Sequence, residues 1–168
     1  MTISFYDASV GTYQQILTSL AGTLRKGAEH LDDPNAVVTT RLHDDMMPFH
    51  FQVVSACHHS WGALQGMRDG RFSPPSFEID KDYAGLQALV DEALAGVKSF
   101  AEGEANALAD GSMVFALGER EMPFTNYNFL TTFSLPNFYF HATTTYAILR
   151  SAGAPLGKMD FLGQMKIG

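Results

Sequence analysis

Apolar residues recur at intervals of three and four along four separate stretches of the chain, a spacing that predicts four amphipathic helices. In the first, capped by Asp7 or Ser9, one face carries Val10, Tyr13, Leu17, Leu20, Leu24 and Leu31, with Gly27 taking one place. Gln14, Gln15, Lys26 and Glu29 form the opposite, polar face, and the turn cluster Asp32, Asp33, Pro34, Asn35 ends the helix. The second helix is expected from Asp44 or Asp45, whose carboxylates suit a helix N-terminus, to Asp69 and Gly70. Two inward series run along it: Met47, Phe51, Val54, His58, Trp61 beside Met46, His50, Val53, Cys57, Leu64. A face that wide must meet two neighbouring helices. His58 then points inward, whereas His59 faces outward with Gln52 and Ser55.

The stretch from Arg68 to Asp82 holds two consecutive prolines and no helical period, and it is long enough to cross one end of a bundle. Asp80 or Asp82 caps a third helix with Leu86, Leu89, Ala93, Val97 and Phe100 inside. From Glu102 to Phe133 the helical period fades, and MVFALGEREMPF suits a short β-hairpin turning near Gly118. A last helix is predicted from Leu135, with Ser134 as its cap and Pro136 in its first turn. Phe138, Ala142, Thr145, Ile148 and Leu149 mark its inner face, His141 falls in the same series, and Gly153 and Pro155 stop it. In the tail, Phe161 and Leu162 are expected to pack back on the helices, with Lys158 and Asp160 fastening them.

PNFYFH, followed by TTTYAILRSAGAPLGKMDFLG, resembles the C-terminal signature of an uncharacterised family, a domain of unknown function among the DinB-like four-helix bundles. HDDMMPFHFQVVSACHHSWGAL resembles the second helix of the same family. The resemblance implies an all-α, DinB-like four-helix bundle over residues 1–168, with a long crossover between helices 2 and 3. Many DinB-like relatives hold a divalent metal with three histidines, one from the second helix and an H-x-x-x-H pair from the last. Some use that metal to activate a small thiol for transfer or isomerisation. Here the last helix offers His141, but position 145 is Thr, so the triad is incomplete.

Composition narrows the classes of partner. With 46% hydrophobic residues the 168-residue chain can build one sizeable core. It contains no run of some 18 apolar residues, the length that marks a membrane span, and no basic, apolar leader. With a single cysteine, Cys57, internal disulfides are excluded, and a cytoplasmic setting is expected. A net charge of −7 without a clustered basic face argues against nucleic acid and against acidic membrane surfaces.

Two kinds of chemistry remain open. If helices 2 and 4 are neighbours, His58 and His141 meet inside the bundle, with His50 two turns from His58, and could ligate one zinc, nickel or iron ion. No H-E-x-x-H or C-x-x-C pattern accompanies them. Alternatively the imidazoles are neutral, hydrogen-bonded residues beside a metal-free pocket. That pocket, bordered by Trp61, Phe138, Tyr146 and Thr145, would take a small apolar or aromatic molecule. Exposed parts of the apolar helix faces also point to a homodimer.

Overall fold

The computed structural model describes residues 2–167. α1 (Thr12–His30) continues directly from a π turn, Asp7–Gly11. α2 joins Phe49–Cys57, a π turn at His58–Gly62 and Ala63–Asp69 into one rod. α3 spans Tyr83–Ser99, and α4 is the short Glu102–Ala107. α5 joins Asn126–Phe129, a π turn at Leu130–Ser134 and Leu135–Ser151, and α6 (Lys158–Leu162) folds back on α1. α2 packs on α5 and α3, and α1 packs on the same two, so the bundle runs α1–α3–α2–α5 around its ring. Among the described residues no helix is long and apolar enough to cross a membrane.

The hairpin is present, with β2 (Ser112–Leu117) and β3 (Arg120–Thr125) antiparallel around Gly118, whose φ is +59°. A third strand was not foreseen. β1 (Arg71–Phe72) pairs parallel with β2, Arg71 opposite Val114 and Phe72 opposite Phe115, so the fold is a helical bundle with a small mixed sheet. Two residues are too few to show a strand period. The segment 73–82 has no regular structure and lies along α2 rather than crossing the end of the bundle; Phe77 stacks on Phe51 at 5.1 Å.

Three expected helix features need correction. α2 starts at Phe49, not at Asp44 or Asp45, because Pro48 lacks an N–H and disfavours a helical conformation at Met47. Asp45 instead binds His43 Nδ1 at 2.6 Å. α5 does not begin at Leu135: it is already helical from Asn126, where Thr125 Oγ1 accepts from Asn128 N–H. The π turn before Pro136 accommodates the missing N–H and the ring's clash with the preceding turn. Finally, Gln52, Ser55 and His59 do share one face of α2, but it is the buried face, while His58 and Trp61 are only half-buried.

Ser134, expected as a cap, sits at the centre of the bundle instead. Its hydroxyl donates to the His59 carbonyl at 2.6 Å and accepts from Tyr13 Oη at 2.8 Å, so one fully buried side chain ties α1, α2 and α5 together. Gly27 of α1 gives a second close contact: a Cβ there would lie 2.2 Å from Tyr83 Oη, which donates to the Leu24 carbonyl. Ser134→Ala strands both partners in an apolar core and is expected to cost about 2–4 kcal/mol in urea unfolding, against about 1 kcal/mol for Tyr13→Phe, which removes the outer bond alone. Equal losses would show that the two bonds are not chained through Ser134.

Candidate functional site

Where α2 faces α5, each helix presents three residues spaced by four: Phe51, Ser55, His59 and Phe133, Asn137, His141. Residues four apart on a helix stack along one side, so the two rows confront each other. Phe72 of β1, Phe115 of β2 and Pro74 and Pro75 of the segment after β1 border the space, leaving a half-open cavity of about 240 Å³. The His59 and His141 rings lie nearly parallel across it, 6.0 Å between centroids and 15° apart.

Hydrogen bonds determine the state of one imidazole. Gln52 Nε2 donates to the Met47 carbonyl at 2.8 Å, which turns Gln52 Oε1 toward His141 Nδ1, also at 2.8 Å. His141 therefore carries its proton on Nδ1, and Nε2 keeps a free lone pair. Asn137 Nδ2 donates to the Phe133 carbonyl. Ser55 Oγ and His59 Nδ1 are buried and have no partner.

Burial holds both imidazoles uncharged. His141 is pushed down to about 4 by desolvation, and His59 to about 3 by desolvation first and then by His141 and His58. Ser55 has no charge, so no ionised side chain lines this cavity at neutral pH.

The histidines expected to act together are dispersed. His58 turns away from the cavity's interior: its Nε2–H donates to the Ser73 carbonyl at 2.6 Å, and its ring stacks on Phe72 at 4.4 Å. His50 stands at the start of α2, with Nε2 3.2 Å from an Asp80 carboxylate oxygen. His141 is the one member of the expected set in the cavity, and His59, read as outward, is its companion. Among the described residues no group of three or more His, Cys, Asp or Glu side chains is placed to hold a metal ion.

The expected pocket residues also lie elsewhere. Trp61 faces α3, where a Cβ on Gly96 would come within 2.5 Å of its ring. Phe138 is fully buried in edge contact with Tyr13, and Tyr146 packs on Phe161. Thr145 is fully buried and donates to the His141 carbonyl. None of the four lines the cavity: Trp61 and Tyr146 sit on other faces of their helices, while Thr145, one turn beyond His141 on the same row, lies past the cavity's edge. The polar series Gln52, Ser55, His59 at three- and four-residue spacing was visible in the sequence and marked the site, but it read as a solvated face.

A family model described as a domain of unknown function, DUF1993, matches residues 5–162. Among curated proteins none matches the chain. The crystal structure of a DinB family member protein from Shewanella denitrificans superposes with a TM-score of 0.79 at 24% identity, covering 97% of this chain and 94% of that one. The bundle is thus of the DinB-like kind, and the likeness extends to the fold alone.

The buried imidazoles make stability depend on pH. Their folded values lie below the ordinary 6.5, so the unfolded chain takes up these protons first. The neutral-site stability is therefore complete above about pH 6.5 and declines as pH falls toward 4, each imidazole accounting for up to about 1.4 kcal/mol per pH unit. Urea unfolding should show a loss of about 2–4 kcal/mol between pH 7 and pH 5, with a shallower slope in His59→Leu. A slope unchanged in that variant would mean that His59 takes up its proton equally in the folded and unfolded chain.

Proposed function

We propose that this chain, which belongs to the DUF1993 family, is a binding protein for a small neutral molecule, an aromatic ring bearing one hydrogen-bonding group, seated between α2 and α5. The observation that carries this reading is the pair of buried, unpartnered polar atoms, Ser55 Oγ and His59 Nδ1, beside an aromatic-walled cavity. An unpaired buried polar atom costs about 1–3 kcal/mol, so a ligand that supplies the missing partner recovers that loss. The volume of about 240 Å³ exceeds the roughly 150 Å³ of an engineered cavity that accepts benzene. A charged ligand would lose its hydration without meeting an opposite charge, which favours a neutral one.

A metal-dependent thiol transferase, the other reading of the resemblance, has one feature in its favour. Gln52 leaves His141 Nε2 free, as an outer-shell partner does for a ligating histidine. The donor set nonetheless does not fit a three-histidine centre. His58 and His50 are engaged at Ser73 and Asp80, and the Thr145 hydroxyl is turned back to its own helix.

Phenol and toluene serve as probes, followed by amide shifts of α2 and α5 in nuclear magnetic resonance titrations. Phenol should bind saturably, and its affinity relative to toluene should fall about fivefold to tenfold in the Ser55→Ala/His59→Leu variant, the value of one or two neutral hydrogen bonds. Absence of saturable shifts with either probe rejects the proposal. So would near-stoichiometric zinc, nickel or iron in untagged protein that is lost in His141→Ala, which would establish the metal-dependent reading instead.

A further inference from the structure

A second cavity, of about 190 Å³, opens on the other side of α2, against α3. It shares Pro75 with the first but has a different chemistry. Its apolar body comes from Val54, Leu89 and the ring of Trp61, the chain's only tryptophan. Its polar groups are Gln65, Glu92 and His58.

Glu92 is the one acidic side chain in this lining, which contains no Lys or Arg. Among the described residues it takes part in no ion pair. It lines the cavity at its solvent-exposed edge, beside the buried Cys57, whose thiol is pushed up by desolvation first and then by the charge of Glu92. His58 spends its Nε2–H on the Ser73 carbonyl, so its Nδ1 is left as an acceptor, next to Gly62 in the cavity wall. The site thus offers a carboxylate, a bare imidazole nitrogen and an indole ring, with no cationic donor.

We infer that this cavity binds a small organic ammonium ion with a single-ring apolar body, its charge placed between Glu92 and His58 and its ring against Trp61. The size follows from the volume, slightly above the roughly 150 Å³ that admits benzene. The sign of the charge follows from Glu92, and an aromatic wall adds attraction for a cation. The site does not depend on the reading of the α2–α5 cavity, because the two linings differ in every group that would select a ligand.

Trp61 provides the signal. Benzylamine, cationic at neutral pH, should shift Trp61 fluorescence saturably and bind about fivefold to tenfold more tightly than its neutral analogue benzyl alcohol, from one partly exposed ion pair and one cation–aromatic contact. That preference should disappear in Glu92→Gln and narrow as salt is raised. Glu92 is exposed, so the variant is expected to fold, and retained binding of benzyl alcohol would confirm that its cavity is intact. Excess phenol should leave the benzylamine titration unchanged. Equal affinities for the two analogues, a preference that survives in Glu92→Gln, displacement by phenol, or no saturable change with either analogue would each overturn the inference.

Discussion

The hydrogen bond from Ser134 to the His59 carbonyl sets the register in which α2 meets α5, and the candidate site follows from that register. It joins the π turns of the two helices, Leu130–Ser134 and His58–Gly62, at a point from which solvent is excluded. A buried hydroxyl and carbonyl that fail to meet are costly, so a slip of one helix along the other is opposed by more than packing. In the register observed, Phe51, Ser55 and His59 face Phe133, Asn137 and His141. Tyr13 extends the tie to α1, so one polar connection links three of the four bundle helices.

A polar stripe turned inward needs compensation, and α2 supplies it unevenly. Gln52 is satisfied at both ends, by Met47 and His141, and Ser60 donates to carbonyls of its own helix. Ser55 and His59 are left short. A chain selected for stability alone could replace both with apolar residues at little cost, since removing a poorly satisfied pair is often neutral or stabilising. Their presence beside an open volume, rather than in close-packed surroundings, is what separates a ligand site from a defect of the core.

Much of the bundle was legible because helical periodicity and end signals agree there. α1 follows its predicted face from Val10 to Leu24, Asp82 caps α3, and Gly153 ends α5 with a left-handed residue at φ +105°. In the tail Asp160 is fastened to Lys26, whereas Lys158, expected to share that role, takes part in no ion pair among the described residues. The two faces of α2 differ little in hydrophobicity: Phe51 lies half-buried under a surface segment and Trp61 half-buried against α3, whereas Gln52, Ser55 and His59 meet another helix. Periodicity grouped the residues correctly, but polarity assigned the wrong group to water. The early start of α5 was hidden by Pro136, which ordinarily opens a helix and here follows a widened turn. Nothing local marks β1, whose partner lies some forty residues downstream in β2.

The segment 73–82 gives the two cavities a common wall. It has no ladder of its own, and its adjacent prolines cannot donate to one, so its position depends on side chains of α2. His58 holds the Ser73 carbonyl, Phe51 stacks on Phe77, and His50 pairs with Asp80. One neutral hydrogen bond, one aromatic pair and one hydrogen bond from an imidazole to a partly exposed carboxylate together amount to about 2–4 kcal/mol. That is smaller than the roughly 5–15 kcal/mol that holds a domain of this kind together. The segment can therefore lift while the four helices stay packed, as low-stability elements of folded proteins do. Because Pro75 lines both cavities, a movement of this segment reshapes both at once and leaves in place the bond between Ser134 and His59 on which the site's geometry rests.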